Sequence, residues 1–235
     1  MDPAHVLWIG GPQGSGKSSI AGALAERFGL QLYHVDHRVW VHEPRMPPTE
    51  FSALSMDERW VEAEPERMLG WFVTTSRHRF RLVLEDLRAL PDEPACIVEG
   101  PQLFPTSVSA VLREPDQALF LLPDPEEMRE RLQARGPMKG TSDGARARQN
   151  AVARDLLIAQ TIAREARELR LPTLAVDRPL EGMVEAAAAK LAPAVERLPR
   201  GGDLAAARAF EAEARATQIR LYEEWLASGE AGGSR

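Results

Sequence analysis

Val6-Leu7-Trp8-Ile9-Gly10-Gly11-Pro12-Gln13-Gly14-Ser15-Gly16-Lys17-Ser18-Ser19 is the stretch on which the reading of this chain turns. Val6 to Ile9 is a short continuous apolar run closed by two glycines, the pattern of a strand buried on both faces. The turn after it, Gly11 to Ser18, satisfies G-x-x-x-x-G-K-[ST]. Its glycines allow backbone angles that aim successive amide N–H groups inward. The N-terminus of the next helix adds its positive dipole end, so Gly11, Pro12, Gln13, Gly14, Ser15 and Gly16 form a phosphate cradle. Lys17 brings a mobile positive charge, Ser18 can place its hydroxyl on a magnesium ion, and Ser19 completes the expected nucleotide-binding set. From Ser18 onward Ile20, Leu24 and Phe28 recur every four residues and stop at Gly29, which predicts an amphipathic helix with a glycine cap.

Working outward, further apolar runs predict strands at Leu30 to Val35, Ala95 to Val98, Ala118 to Leu122 and Thr173 to Val176. Helical stretches separate most of them, so the expected fold is α/β: a five-stranded parallel sheet flanked by helices through right-handed crossovers. Three strands lead into acids, Asp36, Glu99 and Asp177, and ligands of open parallel sheets gather outside the carboxyl ends of strands. After the fourth strand, Asp124 is set to cap a helix with Pro125 at its first position and Glu127 closing a capping box. A glycine-containing hinge from Gly136 to Gly144 precedes a long helical stretch from about Ala145 to Arg170.

The chain has 235 residues, which favours one compact domain at roughly 100 to 200 residues per domain. We expect this domain over residues 1–200, with a helical insertion at 43–92, a lid region at 136–155, and a last helix with a disordered tail over 201–235. The net charge of −6 argues against a phosphate-tracking nucleic-acid surface. A single cysteine, Cys96, excludes an internal disulfide and reads as a buried strand residue. No stretch has the makings of a secretory leader or a membrane span, so the expected setting is a reducing cytoplasm, with neither membrane nor nucleic acid as partner.

The loop and the element order together resemble the P-loop kinases of small metabolites, similar to nucleotide kinases, shikimate and gluconate kinases, and chloramphenicol phosphotransferase. The resemblance covers roughly the first 200 residues and implies ATP and Mg2+ as cofactors and a small-molecule acceptor. It implies that Asp36, past the second strand, meets the acceptor hydroxyl and takes its proton. Glu99 and Gly100 stand where such kinases carry the acid that follows an apolar strand. Glutamate in place of the usual aspartate reaches one methylene further, so Glu99 either joins Ser18 at the metal or binds the acceptor. Arg131 and Arg135, four apart on one helix, resemble arginines at a lid entrance, and Arg146, Arg148 and Arg154 follow the hinge. The expected catalytic set is Lys17, Asp36, Arg135 and Arg154. Arg131 joins the nucleotide site, and Asp177 with Pro179 stands where such kinases hold adenine. His34 and His37 flank Asp36 and are read as surface or substrate contacts, with no metal assigned.

Trp60, Trp71, Phe72, Arg77 and Arg79 make the 43–92 insertion the expected acceptor-binding module: aromatic faces stack rings, and arginines take carboxylate or phosphate. Arg77 is the arginine placed on the acceptor. The final helix, with Phe210, Leu221, Tyr222 and Trp225, either docks on the core or makes a homodimer contact. Transfer of the ATP γ-phosphoryl group to a hydroxyl or phosphate is the leading reading. A nucleoside or nucleotide kinase and an ATP-dependent switch without acceptor chemistry are the competing ones.

Overall fold

The computed structural model describes residues 1–199 and 201–227. The strands are β1 (Val6–Gly10), β2 (Gln31–His34), β3 (Cys96–Gly100), β4 (Ala118–Pro123) and β5 (Thr173–Val176), in the order β2-β3-β1-β4-β5. All four pairings are parallel. β1 is the central strand, with Ile9 opposite both Glu99 and Leu119. Alternation along β1 explains its unbroken apolar run. Val6 and Trp8 enter the core on one face, and Leu7 and Ile9 enter the core on the other.

The helices are α1 (Lys17–Phe28), α2 (Val39–His42), α3 (Glu50–Ala53), α4 (Pro65–Ala89), α5 (Pro105–Ser109), α6 (Pro125–Gln133), α7 (Gly144–Glu168), α8 (Leu180–Arg197) and α9 (Leu204–Ala227). α1 and α8 cover one face of the sheet, burying Ile20, Leu24, Met183 and Leu191 against Leu7, Ile9 and Leu119. α4, α5 and α7 cover the other, where Phe80, Val83, Val108 and Ile158 pack with Trp8, Val98 and Phe120. Each such buried aliphatic or aromatic side chain contributes about 1.5–3 kcal/mol of transfer free energy. The layering follows from the sequence, because apolar strands buried on both faces need a helical layer on each side.

α1 ends as expected: Gly29 adopts φ 65° and its N–H donates to Ala25 O. Asp124 caps α6 by accepting from the Glu126 and Glu127 amides, with Pro125 at the first position. Glu127 departs from the capping-box expectation, because its carboxylate takes Arg131 Nη2 at 2.5 Å. Glu99 and Gly100 lie inside β3 rather than after it. Cys96 is fully buried, and burial pushes its thiol well above the usual range.

The insertion is mostly α4, whose apolar stripe buries Met68, Trp71, Phe80, Val83 and Leu87. Tyr33 Oη donates to Asp86 Oδ2 at 2.7 Å, and His42 Nε2 lies 2.9 Å from the same oxygen, tying α4 and α2 to the sheet edge. α9 docks on the core. Its Phe210 packs beneath the Arg38 guanidinium, 4.2 Å from the ring centroid, and its Glu211 meets both His37 and Arg38. The expected disordered tail, Gly229 to Arg235, lies outside the described residues. Among the described residues no helix is long and apolar enough to cross a membrane.

Candidate active site

The loop between β1 and α1 has the backbone its glycines predict. Gly14 and Gly16 adopt φ 78° and 77°, a region that side chains with a Cβ rarely enter. A Cβ at Gly11 would stand 2.9 Å from Leu121 O, so this residue also lets the loop lie close against β4. Lys17 is 6% exposed at the start of α1, and Ser15 Oγ is buried without a hydrogen-bond partner among the described residues. Gln13 and Gly14 are held from outside: Arg135 Nη1 donates to Gln13 Oε1 at 2.9 Å and Arg131 Nη1 to Gly14 O at 3.1 Å. Only Arg131 lies on α6; Arg135, expected on the same helix, stands in the turn after the Ala134 cap, because the helix ends at Gln133, and both still reach the phosphate loop. Pro12 and Ser19 complete the turn, with Ser19 on the exposed side of α1.

β3 brings Glu99 to the same place. Ser18 Oγ donates to Glu99 Oε1 at 3.0 Å, and His34 Nδ1 contacts the same oxygen from the neighbouring strand. The register explains the second contact, since His34 pairs with Glu99 across β2 and β3. Burial raises the Glu99 carboxyl, but the His34 hydrogen bond, then the Lys17 charge, overrides it and holds the group below the usual carboxylate range. For His34 burial lowers the imidazole, and Glu99, Glu211 and Asp36 together raise it above its ordinary value. The other oxygen, Glu99 Oε2, is buried and has no hydrogen-bond partner among the described residues. An orphaned carboxylate oxygen beside a serine hydroxyl and a helix N-terminus is a donor set that suits a hard divalent cation such as Mg2+.

Asp36 follows β2 in a 3₁₀ turn, Val35–Arg38, and is exposed. Gln102 Nε2 donates to its Oδ1 at 2.8 Å. Gly100 makes this arrangement possible, because a Cβ there would stand 2.7 Å from Val35 Cβ and 2.8 Å from Gln102 Oε1. Gln102 also lines a cavity of about 430 Å3 between the insertion, α7 and α9. Trp60, Trp71, Phe72 and Arg79 line it, as does Arg154 from α7. Arg77, the arginine expected at the acceptor, stands exposed on α4 outside this lining, two residues from the buried Arg79. A two-residue step on a helix turns a side chain by about 200°, which accounts for the difference.

Arg154 is buried and gives Nε and Nη2 to Asp155 Oδ1 at 2.9 and 2.6 Å, with its guanidinium 4.8 Å from the Trp60 ring centroid. Arg148 turns back to Gly136 O at 2.7 Å, closing the hinge on itself, and Arg146 is exposed. The 136–155 segment is tied to the insertion, since the Ser142 amide donates to Asp57 Oδ1 and Asn150 Nδ2 to Trp60 O and Val61 O. Asp177 and Pro179 lie exposed past the edge strand β5, where Asp177 takes its neighbour Arg178 at 2.7 Å.

Sequence reasoning missed Gln102, Trp40 and Glu211. Gln102 carried no signal beyond its nearness to Glu99. Glu211 lies 2.5 Å from His37 Nδ1 across 174 residues, a pairing no local pattern announces. His34, His37 and Glu211 each bring a ligand-capable atom within 4.8 Å of the others.

No protein-family model and no curated protein matches the chain. Solved structures do resemble it. A gluconokinase from Sinorhizobium meliloti 1021 is 20% identical, aligned over 83% of this chain and 96% of its own, with a TM-score of 0.42. A sugar kinase from Janibacter sp. HTCC2649 is 20% identical over 83% and 98%, with a TM-score of 0.44. A shikimate kinase from Bacteroides thetaiotaomicron is 12% identical over 80% and 98%, with a TM-score of 0.42.

Proposed function

We propose that the chain is an ATP- and Mg2+-dependent kinase that moves the γ-phosphoryl group of ATP to a hydroxyl of a small molecule. The observation that carries this reading is the joining of the two half-sites. Ser18 and Glu99 meet at the phosphate loop, and three residues after Glu99 the side chain of Gln102 both holds Asp36 and lines the cavity. The loop amides between Gly11 and Gly16 hold the phosphates, Lys17 balances their charge, and Arg131 of α6 and Arg135 of the turn after it steady the loop. Ser18 and Glu99 would hold the metal ion, which when bound neutralises charge between the terminal phosphates.

Asp36 orients the acceptor hydroxyl and takes its proton as the oxygen–phosphorus bond forms and the bond to the bridging oxygen of ADP breaks. Gln102 holds one carboxylate oxygen in place and leaves the carboxylate turned to its task. Arg154 reaches the cavity wall from α7 and so belongs with the acceptor end in this reading.

The test is phosphoryl transfer followed by mass spectrometry, using purified chain, Mg2+ and ATP against pooled nucleosides, nucleotides, sugars, hydroxy acids and hydroxylated aromatic compounds. A product heavier by one phosphoryl group, absent with Lys17→Ala, is the expected result. ATP binding without a phosphorylated product from any pool would favour the switch.

A further inference from the structure

The chain has five tryptophans, and four of them, Trp40, Trp60, Trp71 and Trp225, line the same cavity as Gln102, where Phe51 and Phe72 join them. Only Trp8 is spent on the sheet core. These rings come from α2, α3, the insertion, α4 and α9, so the concentration is a product of tertiary packing. They make two ring clusters in the lining: Phe51 stands edge-on to Trp60 at 6.2 Å and lies 5.9 Å from Trp71, while Trp40 lies 5.6 Å from Trp225. A cavity of about 430 Å3 falls within the range that small ligands fill, and an aromatic wall favours a flat, weakly polar occupant.

The charges of the lining point the same way. Arg79 gives Nη1 to Val39 O at 3.0 Å and Nη2 to Glu43 at 3.1 Å. Arg154 is paired with Asp155, and Arg59 donates to Ser52 O while its guanidinium lies 4.6 Å from the Phe51 ring centroid. Each cation at the wall already has protein partners. Glu43 and Asp155 already offset part of the Arg79 and Arg154 charge, which weakens the pull of the wall on a phosphate or carboxylate.

We infer that the acceptor is an uncharged molecule carrying an aromatic ring and a hydroxyl, with the ring in the tryptophan-lined cavity and the hydroxyl at the Gln102–Asp36 margin. This assignment rests on the kinase reading for the hydroxyl's fate, and on the cavity alone for the ring. Aromatic alcohols and nucleosides share the required chemistry; sugar acids and nucleoside monophosphates do not.

The experiment separates binding from transfer. The full chain is titrated with cinnamyl alcohol, uridine, gluconate and AMP, following tryptophan emission and heat, and each is then offered as acceptor with Mg2+ and ATP. The expected result is saturable binding of cinnamyl alcohol, uridine or both, with gluconate and AMP at least about tenfold weaker. Trp60→Leu and Phe72→Leu should each weaken the ring probe about tenfold while ATP affinity, which reports an intact fold, stays unchanged. Preferential binding of gluconate or AMP, or no saturable binding of either ring probe, overturns the inference. So does ring-probe binding that both variants retain at full strength with ATP affinity intact. Ring-probe binding without phosphoryl transfer supports the acceptor class while counting against the kinase reading, so the two fail separately.

Discussion

The phosphate loop and the aromatic cavity adjoin each other and are built on opposite principles. The loop is contiguous, Gly11 to Ser18, and its working parts are backbone amides that only glycine-permitted angles can aim. The cavity is assembled from side chains spread between Val39 and Trp225, none of which has a special backbone. A site made of backbone announces itself as a motif, because its requirement is local. A site made of side chains is specified only by how helices dock, so it can be remade for another ligand without disturbing the loop.

That contrast can be broken most forcefully at Lys17. Lys17→Ala should lower phosphoryl transfer to any acceptor by about 10³-fold or more, while ring-probe binding in the cavity remains. Loss of ring-probe binding in the same variant would mean that the two regions are not separable. Asp36→Asn comes next, with kcat down about 10²-fold and ATP affinity preserved, because the change removes a proton acceptor and not a phosphate contact. Weakened ATP binding would move Asp36 into the nucleotide half. Gly100→Ala should reduce kcat about tenfold, since the added methyl group meets Val35 and the Gln102 oxygen and displaces the amide that holds Asp36. A crystal structure or a pH profile of that variant would show whether Gln102 has moved.

A smaller effect concerns the anchor of the insertion. Burial raises the Asp86 carboxyl, but the His42 and Tyr33 hydrogen bonds, the His42 charge and the Arg45 hydrogen bond outweigh it and pull the group down to about 2 from 3.8. A depressed carboxylate contributes stability that is fully present above its unfolded value and is lost as pH falls through its folded one. Asp86→Asn should therefore cost on the order of 1–2 kcal/mol near neutral pH, and the gap from wild type should narrow as pH falls from about 4 towards 2. Urea titrations at several pH values check this, and a gap that stays constant would refute it. The smallest effect is expected at Arg77, whose exposed side chain should tolerate alanine with less than about a twofold change in any kinetic constant. Arg79→Met, two residues on, should raise the acceptor KM about tenfold by freeing Glu43 and Val39 O in the cavity wall.

Much of the frame was legible in the residues. β1 and the loop followed from an apolar run and a glycine spacing, and α1 was bounded correctly because Gly29 takes a left-handed cap. β5 appears at the expected Thr173–Val176, and β3 differs by including Glu99 and Gly100, since hydrogen bonds to Ser18 and His34 offset part of the cost of burying the glutamate in the strand. The arginines divide by the same logic. Arg131 reaches the loop because α6 follows β4, the strand beside β1, whereas Arg135 reaches it from the turn after α6, a place that helix periodicity does not fix. Arg77 and Arg79 could not be told apart, because the phase of α4 relative to the core depends on which of its faces the sheet buries.

Local chemistry was enough for the phosphate loop, the parallel α/β order and the acid beside the loop serine, since backbone freedom and burial on two faces are properties of short segments. The acceptor end required the folded chain. Docking of α9 sets Glu211 against His37 and Trp225 against Trp40, and packing of the Glu58–Glu62 turn against α7 carries Arg154 to Trp60. Those contacts join residues up to 185 positions apart through non-directional apolar burial, which fixes how much surface must be covered but leaves the partner to the geometry of the whole fold.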